Sequence, residues 1–405
     1  MSQPSNINAH LMADEASFGD STVTTFDERP QIVGPVVPSG LTQEIIPLAL
    51  AKQYANQGHW GALGPYGGSF EITSYLAGHG STCAGAITAN AQETMLSRAI
   101  GGLNVAQVGT TLSGSTSASE WALTAGTQVD GAVGFLGVLG DGDGEGQAFA
   151  TDNPATFTSL IEVDAIPAAA AVQRAASNIY PIETSANDTI VSTRHEFMSG
   201  RQKYNAWGCF PTGVSITGIN AGELPQATTT YGTSYWAAES ASTFPTATSM
   251  DTDIPAPVAA GSFHMSAVGT ATRTLHTVRD VSIDIGVNVI PLFGPGMANA
   301  RQIITGARRV GVSAQISFTI DAEAAGTDTL GAIFTGSTWQ QIMYTCSTED
   351  GSALAFWFPR CRADGPRPVQ FDDGGITRMR ITMMAHSTLD TSSALTHASF
   401  IIAQS

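Results

Sequence analysis

The sequence predicts a mainly β protein with few short helices. Apolar and polar residues alternate along residues 281–289, 310–320 and 378–383. A period of two over such lengths indicates half-buried strands that carry one apolar and one polar face. Helical patterns are few and short. Together these observations favour antiparallel β-structure.

Residues 1–40 are predicted to form an extended N-terminal arm. They are polar and irregular, with prolines at positions 4, 30, 35 and 38. Terminal segments of this kind are ordered only where something ties them down, so we expect the arm to meet a partner. A short helix is predicted next, around Thr42–Gln57, within a first core segment that spans residues 41–104.

A strand, a glycine-rich turn and a capped helix follow in the same segment. The strand is predicted over Tyr66–Leu76, and the turn has the sequence GHGSTCAGAI at residues 78–87. Asn90 and Glu93 have the spacing of a capping box, in which the N-cap residue and the third helical residue exchange hydrogen bonds. The helix is expected to end at Gly101, because glycine readily adopts the left-handed conformation of a C-cap.

Residues 105–175 are predicted to form a small inserted β-subdomain, because they are rich in Gly, Ala and Thr and have few long periodic runs. Oxygen-bearing side chains in this segment have the spacing of an EF-hand-like loop at Asp141, Asp143, Glu145 and Asp152. Ca²⁺ prefers such a ring of oxygens, but the last position is Asp rather than Glu and the flanks have strand patterns. The loop is therefore either a Ca²⁺ site or a solvated acidic hairpin tip.

Residues 176–405 are predicted to form the second part of the core, and they contain a possible repeat of the first. Residues 69–72 and 317–320 both end a period-two run and are 248 positions apart. Ser337–Gln340 has the capping-box spacing and lies 247 positions after the box at Asn90. This spacing predicts a second capped helix in the sequence TWQQIMYTC, and hence a duplicated unit of strand, turn and helix.

The composition indicates a soluble, acidic protein with reduced cysteines. The formal net charge is −17, and residues 1–200 alone contribute −14. Binding of phosphates requires clustered Lys and Arg, so tight binding of nucleic acid is not expected. No C-x-x-C pair joins the cysteines at 83, 209, 346 and 361, which argues against a zinc site. We expect neither a transmembrane helix nor a secretory signal.

A serine protease is the enzymatic alternative that the sequence suggests. The words around His79 and Ser234 are similar to the histidine and serine motifs of kexin-like proteases. A triad also requires an Asp that orients the imidazole. The upstream candidates are Asp14, Asp20 and Asp27, and the sequence around Asp20 lacks the apolar strand and glycine of those proteases. The eight histidines form no H-x-x-x-H or H-E-x-x-H pattern, and no phosphate-binding loop is present. We therefore predict no catalytic, cofactor-binding or metal-binding residues.

Several words, taken in order, resemble the tail tube proteins of long-tailed bacteriophages. The resemblance covers about residues 60–105 and 185–405. It is carried by GGSFEITSYLAGHGST and the helix before IGG, by YNAWGCFPTGVSITGINAGELPQATTTYGTSYW, and by the closing words DVSIDIGVNVIPLFG, ARQIITGARRVGVSAQISFTID and DDGGITRMRITMMAH. The segment 105–175 and the scarcity of lysine depart from the family.

The resemblance implies a β-sandwich that contributes strands to a barrel, and a structural virion protein that is not an enzyme. Such proteins form stacked rings around a lumen through which genome DNA passes without specific binding during ejection into the host cell. Expected partners are further copies of the chain and other tail proteins, namely tape measure, terminator and baseplate proteins, and no membrane. The protein would be made in the host cytoplasm and located in the phage tail.

The repeat bears on the number of chains in a ring. A duplicated chain predicts three copies with pseudo-six-fold symmetry, which we favour slightly, whereas an unduplicated chain predicts six. The alternative function is another β-structural phage protein, such as a capsid decoration or baseplate adaptor protein.

Overall fold

The computed structural model describes most of the chain's regular structure. The described residues are 8–20, 22–23, 25–29, 32–34, 36, 39–47, 61–79, 87, 90–107, 110–117, 120–123, 135–140, 145–151, 162–163, 172–174, 176–181, 190–199, 202–240, 247–250, 255–295, 302–321, 338–349, 351–363, 370–373, 376–387 and 398–405. The prediction of a mainly β fold is confirmed: one helix and 24 strands are formed in these residues.

The helix α1 spans Ala91–Ile100. The strands are β1 Asn8–Asp14, β2 Phe26–Arg29, β3 Ser39–Pro47, β4 Gly61–Tyr75, β5 Gly102–Gln107, β6 Thr110–Ser117, β7 Glu120–Leu123, β8 Phe135–Val138, β9 Ala148–Thr151, β10 Val172–Gln173, β11 Ala176–Pro181, β12 Thr193–Ser199, β13 Gln202–Thr217, β14 Gln226–Ser240, β15 Ala247–Met250, β16 Val258–Ala267, β17 Leu275–His276, β18 Arg279–Pro295, β19 Gln302–Asp321, β20 Gln340–Thr348, β21 Ala353–Ala363, β22 Gln370–Asp373, β23 Ile376–Ala385 and β24 Ile401–Gln404.

Two long strands each divide between two parts of the large sheet. β13 pairs along one edge with β14, whereas its other edge pairs first with β12 and then, over residues 213–216, with β18. β21 pairs along one edge with β20, whereas its other edge pairs first with β24 and then, over residues 361–363, with β23. These two divided strands connect outer strands to one shared group, the central sheet, which has the order β4, β14, β13, β18, β19, β23.

The central sheet buries one face against a second layer. Ile283 of β18 and Phe318 of β19 belong to the largest apolar cluster, which also contains Phe263 of β16 and Ile100 of α1. The rings of Phe263 and Phe318 have centroids 4.5 Å apart, although their strands do not pair with each other. The two strands therefore face each other across the core, as the layers of a sandwich do.

The capped helix forms as predicted. Asn90 accepts a hydrogen bond from the backbone N–H of Glu93, and the Glu93 carboxylate accepts one from the backbone N–H of Asn90. Gly101 has φ +64° and ends the helix in the left-handed conformation. The sequence predicts this helix well because residues at its own ends satisfy its terminal backbone groups. The side chains of Asn90 and Glu93 do so at the start, and the left-handed Gly101 does so at the end.

The prediction of a second capped helix is wrong. Gln340–Thr348 forms strand β20, which pairs with β16 on one edge and with β21 on the other. Nearly every residue of β20 is buried, and sheet pairing on both edges overrides a weak local capping pattern. The second copy of the predicted repeat therefore has a strand where the first copy has a helix. The corresponding turn at 324–333 lies outside the described residues.

The predictions of a helix at Thr42–Gln57 and of an extended arm at residues 1–40 also need correction. Residues 42–47 of the predicted helix Thr42–Gln57 lie in strand β3, which pairs with β4, and residues 48–57 lie outside the described residues. Residues 8–14 of the predicted arm form β1, which pairs with β12 of the same chain over its whole length. Leu11, Met12 and Ala13 are buried there, so burial within the chain, not a partner, orders this part of the arm.

The segment 105–175 contributes two small sheets of its own. β6, β7 and β10 form a three-stranded sheet, and β8 pairs antiparallel with β9. The apolar face of the β8–β9 hairpin, with Leu136 and Val138, packs against Trp357 of β21 and Ile401 of β24. The prediction of strands on both sides of the acidic loop is confirmed.

Candidate functional site

The candidate site is a polar groove on the outer face of the central sheet. Side chains alternate along its strands as the sequence predicts, so that Val281, Ile283 and Ile285 are buried and Ser282 and Asp284 face outward. A groove of about 400 Å³ runs across this face. It is lined by Glu71, Gly213, Val214, Ser215, Thr228, Thr230, Asp284, Ile285, Gly286, Ser313, Ala314, Gln315 and Met384.

Hydrogen bonds across neighbouring strands hold the side chains of this groove in place. Ser215 donates to the Asp284 carboxylate over 2.6 Å, and Thr230 donates to Glu71 over 3.5 Å. The hydroxyls of Thr73 and Thr228 lie 2.9 Å apart. Such pairs are placed opposite each other by the strand register, and cross-strand pairs of this type stabilise a sheet by about 0.2–1 kcal/mol each.

The groove is polar and carries negative charge. Its two charged residues are both carboxylates, Glu71 and Asp284, and no Lys or Arg is among its lining residues. Its other polar side chains include the hydroxyls of Ser215, Thr228, Thr230 and Ser313. A surface of hydroxyls and carboxylates disfavours the binding of phosphate, because it offers no positive charge.

The structure does not assemble a protease triad from the candidates. His79 Nε2 lies 2.7 Å from Glu93 Oε1, so the imidazole joins the capping network at the start of α1. Ser234 is buried and donates to the backbone carbonyl of Ile304. Asp20 accepts hydrogen bonds from Thr22, and these lower the pKa of its carboxyl. The three side chains thus have separate partners.

The candidate Ca²⁺ loop is described only in part. Asp141, Asp143 and Asp152 lie outside the described residues, whereas Glu145 forms an ion pair with Arg174 at 3.5 Å. In the described part of the chain no group of three His, Cys, Asp or Glu residues is placed to hold a metal ion.

A second cavity of about 660 Å³ lies beside β16 and β18. Its lining includes Glu223, His276, Arg279 and Asp280, and the backbone of Asp280 is left-handed with φ +51°. Burial lowers the pKa of His276. The cavity holds charges of both signs and the hydroxyls of Ser262, Thr277 and Tyr344.

A buried pair of histidines was missed by the sequence reasoning. His10 Nε2 lies 2.8 Å from His195 Nδ1, and the two rings are stacked with centroids 5.1 Å apart. Burial lowers the pKa of His10 to about 3, and burial together with the neighbouring His10 and Arg98 lowers the pKa of His195 well below its usual value. No local signal identifies this pair, because the residues are 185 positions apart.

Comparisons with known proteins assign no family to this chain. No protein-family model matches it, and no curated protein is significantly similar to it. The only helix among the described residues, α1 with 10 residues, falls short of the length needed to cross a membrane.

Proposed function

We propose that this chain is a structural virion protein that forms the stacked rings of a phage tail tube. The observation that supports this proposal most directly is the central sheet, which is apolar on its core side and carboxylate- and hydroxyl-rich in the groove on its other side. A lumen that conducts DNA requires a hydrated wall that does not retain phosphate, and this groove has that chemistry.

A ring is a physical solution to the free edges of the central sheet. β3 lies at the end of the β4 side and has one pairing partner among the described residues. An unpaired edge invites association with another chain, and closure of several sheets into a barrel removes such edges. We propose that neighbouring copies continue the central sheet around the ring.

Three copies with pseudo-six-fold symmetry remain our proposal for the ring. The prediction for the helical half of the sequence repeat is wrong, whereas both of its strand words lie in strands of the central sheet, residues 69–72 in β4 and residues 317–320 in β19. A repeat of the strand half in one chain favours three copies over six.

Negative-stain electron microscopy of the purified chain tests the function, and end-on views test the ring. The expected result is hollow tubes whose rings contain three subunits. Discrete oligomers without a continuous channel would instead favour a capsid decoration or baseplate adaptor protein. Tubes with six identical subunits per ring would contradict only the proposed subunit number.

A further inference from the structure

Strand β16 leaves part of one edge open. Its first edge pairs with β20 along the whole strand. On its second edge, the turn at residues 222–223 exchanges two backbone hydrogen bonds with Val258, and β17 pairs at Phe263. Residues 259–261 between these points are exposed and have no strand partner on this edge in the described part of the chain. A gap therefore separates two covered ends of the same edge.

The backbone of Gly261 points into this gap. Met265 donates its N–H to the carbonyl of Thr274 across the same edge. Backbone groups face a given edge at every second residue of a strand, and the register of β16 with β20 is regular from residue 260 to residue 267. The N–H and C=O of Gly261 are therefore directed to the open edge, where an added strand can bond to them.

A cavity of about 660 Å³, the one beside β16 and β18, adjoins the gap. We name the gap and the cavity together the β16 cleft. Gly261 and Tyr344 both line it, and a Cβ at Gly261 would lie 2.9 Å from the Tyr344 hydroxyl. That hydroxyl is held in place by donation to the carbonyl of Ile219 over 2.5 Å. Glycine thus keeps the cleft open above a fixed ring, and the volume is within the range of ligand sites.

A left-handed residue lies where the chain leaves the cleft. After β17 the chain crosses to β18, which pairs with β13 and β19 and not with β16. Asp280 in this crossing has φ +51°, and in the described part of the chain it is the one residue other than glycine with a positive φ. Such strained backbone is frequent at binding sites, where the surrounding structure maintains it. Because the chain turns away here, β17 does not continue beside Gly261.

The cleft carries more negative than positive charge. Glu223, Arg279 and Asp280 line it, and all three are exposed. Burial lowers the pKa of His276 in the same lining, so this imidazole is mostly uncharged at pH 7. The ion pairs of the described residues include none of these groups. A cationic segment is therefore attracted, whereas a second copy of this chain, with its net charge of −17, is repelled at long range.

We propose that the β16 cleft binds a short extended segment of another protein, with Lys or Arg as its central residue, as a strand added to the open edge of β16. The edge from Val258 to Phe263 is about 17 Å long at roughly 3.4 Å per residue, and its ends are covered, so about three residues fit. Main-chain bonds to Gly261 supply affinity, and the carboxylates of Glu223 and Asp280 select the cationic side chain. The cleft binds such a segment whether or not the chain forms tubes.

Labelled pentapeptides test the cleft in fluorescence anisotropy with the full-length chain. The probe is acetyl-TVRVT-amide, which we expect to bind with a Kd below about 1 mM. Acetyl-TVEVT-amide should bind at least about tenfold more weakly, because the cleft repels its carboxylate. No binding of the arginine peptide at about 1 mM, or equal binding of the two peptides, would overturn the proposal.

Backbone methylation of the probe tests whether it binds as a strand. One peptide carries an N-methyl group on the arginine nitrogen, and another carries it on the nitrogen of the following valine. A strand uses alternate N–H groups on one edge, so one of the two should bind at least about fivefold more weakly than the probe and the other should bind nearly as well. Equal affinities of both methylated peptides would refute strand addition.

Two isosteric substitutions test the carboxylates. Glu223→Gln with Asp280→Asn should weaken binding of acetyl-TVRVT-amide at least about tenfold and remove its advantage over acetyl-TVEVT-amide. Asn tolerates the left-handed backbone at position 280, and circular dichroism verifies the fold. Glu349→Gln is the matched control, because Glu349 is an exposed carboxylate that does not line the cleft. Unchanged peptide binding by the double variant would contradict the assigned selectivity.

Measurements on assembled protein separate the occupants and the two proposals. If assembly blocks peptide binding and Glu223→Gln with Asp280→Asn weakens assembly, the occupant is a second copy and the proposed partner is wrong. Peptide binding as expected by a chain that forms no tubes would refute the tail tube function and leave the cleft standing. Tubes that bind no peptide, formed equally well by the double variant, would refute only the cleft.

Discussion

Acidification from pH 7 to pH 5 is expected to destabilise the protein through the buried pair His10 and His195. The hydrogen bond between the two rings requires one of the facing nitrogens to lack a proton. His195 Nε2 lies 2.7 Å from the Thr193 hydroxyl, and His10 Nδ1 is buried without a hydrogen-bond partner among the described residues. Protonation of both rings would place two N–H groups against each other, and the ion pairs of the described residues include neither histidine.

The magnitude follows from proton linkage. The ordinary histidine pKa is 6.5, whereas the pKa of His10 in the folded chain is about 3 and that of His195 is lowered well below its usual value. At pH 5 the unfolded chain binds these protons and the folded chain does not, so stability falls as pH falls below 6.5. For His10, the gap of about 1.5 pH units between pH 5 and the ordinary pKa corresponds to about 2 kcal/mol of stability. The lowered pKa of His195 acts in the same direction.

Other ionisable groups surround the pair and set the baseline for the experiment. Arg98, Asp14 and Cys209 are close by, and burial raises the pKa of Glu15, which therefore acts in the opposite sense and favours the folded state at lower pH. The contribution of the histidines is obtained only as a difference between the wild type and a variant that lacks both imidazoles.

Urea unfolding at pH 7 and pH 5 measures this difference. The double variant His10→Gln with His195→Gln should lose less stability than the wild type between the two pH values, by at least about 2 kcal/mol, whatever its stability at pH 7. His386→Gln is the control, because it removes an imidazole outside the pair and should follow the wild type. Equal losses in the wild type and the double variant would refute the reasoning.

Three further predictions concern the helix and the rejected protease. Asn90→Ala removes the N-cap acceptor and should lower the free energy of unfolding by about 1 kcal/mol, measured by urea denaturation; an unchanged midpoint would contradict the capping role. Gly101→Ala should lower the free energy of unfolding by about 1–2 kcal/mol, because alanine is strained in the left-handed conformation. Its Cβ would also overlap the Arg309 guanidinium, whose displacement adds to the loss. Gly222→Ala has the same type of backbone and open space around it, so this variant measures the backbone cost alone. Ser234 should not react with a fluorophosphonate probe, and labelling detected by mass spectrometry would reopen the hydrolase alternative.

The sequence predicted those parts of the structure whose signals are local. Alternation along residues 281–289 reports which face of a strand is buried, and the Asn90 capping box reports a helix end that its own side chains satisfy. The same spacing at Ser337 failed because β20 is buried between two strands that are distant in sequence. Local patterns cannot encode pairing partners, and this also explains why the pair His10 and His195 and the strand β1 went unforeseen.

The divided strand β13 has neighbours in both the acid-sensitive region and the polar groove. Its first part pairs with β12, which pairs in turn with β1, so the histidine pair lies on this outer side. Its second part pairs with β18 at Gly213–Ile216, where Ser215 meets Asp284. Pairing with β14 along the whole of β13 holds both parts whichever neighbour is lost. The ring of His195 also packs against Phe70 of β4 and Tyr231 of β14, with centroids 5.3 Å and 4.6 Å away. Protonation of the histidines therefore acts on these two strands of the central sheet as well as on β1.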